Sequence, residues 1–351
     1  MRKDNIFLNY YYFCKKNNNM ALKISYKKNN NEIYNCTKTY TFGSGLTFLQ
    51  WLEANNDATK IIVRGFINAK ELESLDQPIY TNLSLLEEID FSECASGFDY
   101  WNLTLLNCPN LKKYIFPKSI KTAATQFENM PNLTEVVFQS GLENMLCKFN
   151  ETTPISINLP NSLLTIDADF FYNSQLQQTT LPDNCKIINI PNQPQDTITQ
   201  IIAGPNNNYY KNINGSLYTK DGETLIHSIL QQGNELSIAE GCKVVAPYSC
   251  CYRHINKISF PKSIKFIEQF SFFMSYGFSE ITLPPDVEYV STVAFASPTL
   301  KTATITSPTP PQNSLDSTFF IGKKIEIKVP QKYLNRYKQH PNYRDNKISA
   351  I

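Results

Sequence analysis

The stretch Ile255–Leu283, INKISFPKSIKFIEQFSFFMSYGFSEITL, constrains this chain more than any other feature. It opens on an apolar residue, then an apolar-x-apolar pair, then Pro, then apolar residues three and six places on, then an aromatic; after that the pattern starts again. Aligned on the residue that ends each apolar-x-apolar pair, the copies fall at Pro117, Gln139, Pro160, Pro182, Ala203, Ala239, Pro261, Pro284, Thr306 and Pro330. The steps lie between 21 and 24 residues, except for 36 between Ala203 and Ala239, which reads as one repeat carrying an insertion of about one hairpin. A fixed period in the low twenties belongs to solenoids, in which no unit can bury its own apolar face and stacking makes one continuous core.

Each position has a physical job. Leu111, Tyr114 and Phe116 mark a short strand whose last two apolar residues, at spacing two, point into the core. Leu133, Val136, Phe138; Leu176, Thr179, Leu181; and Leu300, Ala303, Ile305 repeat it. Pro at the strand end removes a backbone donor and stops the ladder. Three residues on comes a second buried slot: Ile120, Leu142, Leu163, Cys185, Cys242, Ile264 and Val287. Six on comes a third: Ala123, Met145, Ile166, Ile188, Val245, Ile267 and Val290. A large residue closes the unit at Phe127, Phe149, Phe170, Phe272 and Phe295, with Cys250 in its place once.

These residues carry a resemblance. Phe278–Phe295, FSEITLPPDVEYVSTVAF, follows the template L-x-x-I-x-L-P-x-x-L-x-x-I-x-x-x-A-F of the BspA-like leucine-rich-repeat family, a surface-antigen type of bacteria and protists. Cys108-Pro-Asn-Leu111 matches the family's C-x-x-L ending, and Val329–Lys338 resembles its V-P-x-x-Y-L-x-x-Y-K close. The resemblance spans roughly residues 40–351. It implies an α/β repeat fold, a leucine-rich-repeat solenoid of roughly ten units of about 22 residues with N- and C-terminal caps and one β insertion. It also implies a cell-surface or secreted adhesion role.

Composition excludes several classes. With 42% hydrophobic and 18% charged residues, the 351-residue chain can bury a core and is not of the disordered type. A net charge of +2, with scattered Lys pairs, is no footprint for nucleic acid. Nine Cys without a C-x-x-C, beside three His, give no metal-ligand spacing; Cys185, Cys242 and Cys250 stand in apolar slots and read as small buried hydrophobes. Neither a metal nor a cofactor is expected. No run of apolar residues is long enough for a transmembrane helix.

The expected organisation is a tail or weak targeting segment over 1–21, an N-terminal cap over 22–82, the solenoid over 83–330 with a β insertion at about 204–235, and a C-terminal cap over 331–351. Residues 1–20 are basic and then aromatic, interrupted at Asn9, with no small-residue cleavage site; a disordered tail, or Met20 as the true start, is preferred to a signal peptide. In the N-terminal cap, Leu22–Tyr26 and Tyr34–Phe42 alternate as two strands, Ser44 caps a helix through Leu46–Ala54 with Leu46, Leu49, Trp51 and Leu52 inward, Ile61–Val63 is a strand, and a helix follows near Lys70–Leu75. Asn214-Gly215 and Asp221-Gly222 are turn signals for a meander projecting from the stack, where Tyr209, Tyr210 and Tyr218 either pack or form a contact patch. Ser307-Pro-Thr-Pro-Pro311 is a stiff spacer, 325–330 a last strand and Tyr333–Gln339 a polar capping helix.

No nucleophile elbow, phosphate loop or dinucleotide fingerprint occurs, and no catalytic residue is assigned. On the strand face the outward residue between the two buried strand positions runs Ile115, Val137, Asn158, Thr180, Ile202, Ser237, Ser259, Thr282, Thr304, Lys328, without a carboxylate. Stacked strands lie about 4.8 Å apart, so ten copies make a face on the order of 40–50 Å long. Asn158, Thr180, Ser237, Ser259, Thr282, Thr304 and Lys328 form the candidate binding face, a shallow concave polar surface for a protein or glycan; a ladder that only favours sheet is the other reading. Six N-x-S/T sequons, at Asn35, Asn82, Asn102, Asn132, Asn150 and Asn214, are expected by chance in so Asn-rich a chain. Three functions stay open: a surface or secreted binding protein, an intracellular scaffold suited to free thiols, and a carbohydrate-active enzyme.

Overall fold

The computed structural model describes residues 23–25, 35–67, 78–106, 108–150, 157–172, 178–189, 200–291, 293–312, 325–343 and 346–351. The tail, the helix expected near Lys70–Leu75 and Leu176 lie outside the described residues. The chain divides into two compact units, Met1–Thr165 with Ser174–Leu176 and Ile166–Asn173 with Gln177–Ile351.

In the first unit, Asn35–Thr41, Lys60–Ile67, Glu88–Ser96, Lys113–Ile115 and Glu135–Val137 pair in parallel, and Lys23–Ser25 runs antiparallel to the first of them. Ile61, Ile89, Tyr114 and Val136 form one inward column. A second parallel ladder, Tyr100–Trp101, Thr122–Ala123 and Asn144–Met145, closes the other side, with Trp101, Ala123 and Met145 buried. Between the ladders Phe91, Trp101, Tyr114, Phe127 and Phe149 fill the core, and the Trp101 Nε1–H donates to the Tyr114 hydroxyl at 3.0 Å. Because the same slot recurs each turn, Phe127 stacks on Phe149 at 4.8 Å and 8°. That is the strand spacing itself, so each ring meets its copy without leaving the repeat register.

The capping helix of this unit is Phe48–Ala54, shorter than expected. Its N-cap is Thr47 rather than Ser44, in a capping box with Gln50. Phe48, Trp51 and Leu52 are buried while Leu46 and Leu49 are exposed, because a helix starting at Phe48 turns the i, i+3, i+4 positions inward.

In the second unit the strand face consists of three parallel sheets: Gln178–Leu181 with Gln200–Ala203, Glu235–Ser237 with Lys257–Ser259, and Glu280–Leu283 with Thr302–Ile305, Glu326–Val329 and Lys347–Ala350. The sheet therefore does not end near Pro330; one more strand follows the capping helix. The opposite side is one ladder, Thr224–His227, Val244–Val245, Phe266–Ile267 and Tyr289–Val290. Of the third-slot residues in this unit, Ile188 is only half-buried; Ile166, Val245, Ile267 and Val290 are fully covered. Phe272 and Phe295 stack at 4.9 Å and 9°.

The meander is built of Tyr210–Ile213, Ser216–Thr219 and Thr224–His227, antiparallel as the two turn signals require. Asn214 and Gly215 have φ of 51° and 84°, the left-handed pair of a tight hairpin turn. It does not merely project. Its last strand pairs in parallel with Val244–Val245, and Leu225 takes the slot that Val245 and Ile267 fill in the next turns. Tyr218 and Tyr210 are buried packing residues whose hydroxyls accept from the Ala239 and Ile187 N–H groups; Tyr209 is exposed.

The repeat solenoid is as expected, and its α/β label is loose. Among the described residues the helices are Phe48–Ala54, Asp169–Tyr172, Leu334–Gln339 and the 3-10 turn Gln331–Tyr333, so the fold is a β-solenoid with little helix. Only five residues separate Phe272 from Phe278, too few for a stable helix. The chain reverses there through left-handed residues instead. Tyr248, Phe270 and Val293, at one repeat position, have φ of 58°, 57° and 51°, and Tyr252 and Met274 have 54° and 55°. The Pro-rich 307–311 segment is less a spacer than a clasped loop. The Tyr337 hydroxyl donates to the Ser307 carbonyl at 3.0 Å, Tyr343 to Pro311 at 3.2 Å, and the Arg336 guanidinium to Pro308 at 2.7 Å.

Candidate interaction face

Alternation in each strand sends every second side chain outward, and parallel pairing aligns those side chains in columns. In the second unit Thr180 stands beside Ile202, Ser237 beside Ser259, and Thr282, Thr304, Lys328 and Ser349 follow one another. The column is interrupted in this unit, because its strands belong to three separate sheets, of two, two and four strands. Asn158, in the first unit, is exposed but lies outside any strand. Ser349, which sequence reading missed, extends the column; the alternation of Lys347-Ile-Ser-Ala350 was its signal, hidden by its place after a polar helix.

The hydroxyls of Thr180, Ser237, Ser259, Thr282 and Thr304 make no hydrogen bond to the described residues. The outward column on the other side of the first unit differs. There Asn144 donates to Thr122 at 3.2 Å and Thr165 donates to Asn144 at 2.7 Å, so the polar groups satisfy one another.

Two residues before the outward column runs one rich in Lys and Glu, several of which pair with one another. In the first unit Lys60 pairs with Glu88 at 2.7 Å and Lys113 with Glu135 at 2.8 Å. In the second, Lys347 pairs with Glu326 at 3.3 Å and Ser349 donates to the same carboxylate at 2.9 Å. Only Thr302 separates Glu280 from Glu326, which stand about 10 Å apart along the sheet. They lie on an open face. The Ser349 and Lys347 hydrogen bonds hold the Glu326 carboxyl below its ordinary range, so it stays an anion and is no proton donor.

Five of the buried thiols among the described residues are poor nucleophiles. Burial pushes Cys94, Cys108 and Cys185 up to about 12, and Cys242 and Cys250 up to about 11. Their slots are apolar, and a thiolate there would lose its hydration. The three histidines are engaged structurally. His227 is buried with Nε2 at 3.1 Å from the Arg253 guanidinium, His254 lies against Asn234 and stacks on Tyr276, and His340 accepts from the Asn342 N–H. No group of three or more metal-ligating side chains occurs among the described residues, and none of their helices is long and apolar enough to cross a membrane.

The repeat, its slots and its stacked rings meet their counterpart in a family model. A model of the BspA type leucine rich repeat region matches in six copies, over residues 65–152, 102–193 and 235–340. The chain belongs to this family. Among solved structures, this BspA-type chain is similar to a leucine-rich repeat protein from Eubacterium ventriosum, with a TM-score of 0.52 at 15% identity over 90% of this chain and 79% of that one. A leucine rich cell surface protein from Faecalibacterium prausnitzii gives 0.46 at 15% identity, covering 87% and 94%. The pneumococcal vaccine antigen PcpA gives 0.43 at 14%, covering 95% and 97%. The fold comparison rests on the first of these. No characterised protein matches the sequence.

Proposed function

We propose that this BspA-type repeat protein is non-catalytic and uses the outward strand face of its second unit to bind a protein or glycan partner at a cell surface or in the extracellular space. One observation carries the reading. Thr180, Ser237, Ser259, Thr282 and Thr304 are outward hydroxyls that bond to none of the described residues, whereas the polar column on the opposite side of the first unit is bonded within itself. Such hydroxyls face water in the free protein and can exchange those bonds for bonds to a partner. Beside this outward column Glu326 is paired with Lys347, and the column itself carries hydroxyls and a single Lys, so recognition here is by hydrogen bonds and shape more than by net charge. The surface location follows the family resemblance.

The test is binding of the purified protein to a glycan array and to a panel of purified extracellular-matrix proteins, with Thr282→Arg/Thr304→Arg as the variant. Loss of the captured ligand by a folded double variant is expected, with retention in Thr122→Arg on the first unit's self-bonded column. Equal binding by both variants and the parent removes the face from consideration. Silence on both panels with specific cytosolic partners captured favours instead an intracellular scaffold, which the buried free thiols suit.

A further inference from the structure

The strand face of the second unit is interrupted twice, once where the meander enters and once, between Ser259 and Glu280, within a run of turns that carries no such insertion. No backbone hydrogen bond among the described residues joins the strand Lys257–Ser259 to the strand Glu280–Leu283, although each pairs normally on its other side. The opposite ladder stays closed through the same turns, with Val244, Phe266 and Tyr289 in continuous register.

Two further observations locate the cause. First, the step from Pro261 to Pro284 is 23 residues where the preceding one, from Ala239 to Pro261, is 22. The extra residue falls beside Gly277. Up to that point the turns are tied: Tyr276 N–H donates to the Arg253 carbonyl at 2.9 Å and Ile255 N–H to the Tyr276 carbonyl at 2.7 Å. Gly277 then takes φ +101°, and a Cβ there would meet His254 Cδ2 at 2.6 Å and the Ile255 carbonyl at 2.7 Å. Only glycine can turn the chain away at this point. Second, the residues at the seam are poorly covered. Ile258 and Phe260 are half-buried, whereas their counterparts Leu236 and Ile238 one turn earlier, and Ile281 and Leu283 one turn later, are buried.

We infer that this seam is a hinge: the stack of the second unit yields between Ser259 and Thr282, pivoting on the closed ladder through Ile267. Strand edges with free N–H and C=O groups on one side and an intact ladder on the other are the arrangement in which local opening costs least. The hinge sets the angle between the Ser237–Ser259 segment and the Thr282–Thr304–Lys328–Ser349 segment, and so adjusts the curvature of the strand face. It stands whether or not that face has a ligand.

The experiment is hydrogen exchange of the whole chain resolved to single amides, with an engineered cross-link. Amides of Lys257–Phe260 and Glu280–Leu283 that point into the seam are expected to exchange at least roughly tenfold faster than those of Ile267 and of Thr302–Ile305. Equal protection overturns the open seam. In the Ser259→Cys/Thr282→Cys variant, mild oxidation of the folded protein is expected to form a disulfide, which needs the two Cα atoms to approach within about 7 Å, and to slow exchange in both segments. Fast seam exchange with no cross-link means a rigid gap and overturns the hinge.

Discussion

Asn207 is a residue on which the second unit depends and which no hydrophobic pattern reveals. It is fully buried, and its carboxamide spends every bond it has. Nδ2 donates to the Pro182 carbonyl at 2.6 Å and to the Cys185 carbonyl at 3.3 Å; Oδ1 accepts from the Tyr209 and Tyr210 N–H groups at 2.9 and 2.8 Å. It thereby ties the turn after Leu181 to the start of the meander. Asn207→Ala strips partners from two donors and two acceptors. At about 1–3 kcal/mol for each group left buried and unpaired, with part recovered by relaxation, the loss is on the order of 4–5 kcal/mol. Asn207→Asp keeps the two accepted bonds but aims a carboxylate oxygen at two carbonyls, costing about 2–4 kcal/mol at neutral pH. Those carbonyls raise the folded-state pKa of the introduced carboxyl above its unfolded value. Its penalty relative to the parent therefore shrinks as pH falls through that raised value and is full well above it. The assay cannot be tryptophan emission, because Trp51 and Trp101 both lie in the first unit. Urea titration by far-UV circular dichroism, with hydrogen exchange of Lys186–Ile188 and Tyr210–Ile213, reads the right region. An Asn207→Ala variant within about 1 kcal/mol of the parent would refute the reasoning, since a bond set that size cannot vanish silently.

Three further outcomes are expected. Met274, exposed at φ 55°, carries a left-handed backbone with no burial to offset it, so Met274→Gly should raise the thermal midpoint by an amount equivalent to about 0.5–1 kcal/mol. Cys185, Cys242 and Cys250 should resist iodoacetamide at pH 8 in the folded state and react after unfolding, as read by peptide mapping; at values of about 11–12 the thiolate fraction is on the order of one in a thousand or less. Glu326 has a lowered folded-state pKa, so its contribution is present above the ordinary carboxyl range and is lost as pH falls through the lowered value. Glu326→Gln should accordingly flatten the acid limb of thermal midpoint against pH between about 3 and 6, and an unchanged slope would count against the Ser349–Lys347 assignment.

The turn of this solenoid was legible because its information is apolar and periodic. Leu111, Tyr114, Phe116, Ile120, Ala123 and Phe127 occupy six slots at fixed offsets, and all six are buried. What the pattern could not show was polar or single-copy. Asn207 reads as one Asn among many in a loop, because its burial is decided by the carbonyls of Pro182 and Cys185, more than twenty residues away. Thr47 displaced Ser44 as the cap because the reciprocal bond from Gln50 adds to the cap itself. The strand Lys347–Ala350 is short and follows a helix, so its weak alternation becomes decisive only beside its partner Glu326–Val329.

The candidate face divides along the same line. Period two gave the outward positions of the strands at Thr180, Ser237, Ser259, Thr282, Thr304 and Lys328, since that follows from backbone geometry alone; that Asn158 lies outside any strand, and whether neighbouring strands pair, do not. One additional residue beside Gly277 was visible as a 23-residue step, but its consequence depends on where the extra length goes. A longer step need not part the strands: across the 24 residues from Thr306 to Pro330, Thr302–Ile305 and Glu326–Val329 still pair. Placed beside a left-handed glycine wedged against His254, the additional residue parts two strands. In a repeat protein the consensus positions specify the stack, and a length change alters a binding face only where the surrounding contacts stop it from being absorbed.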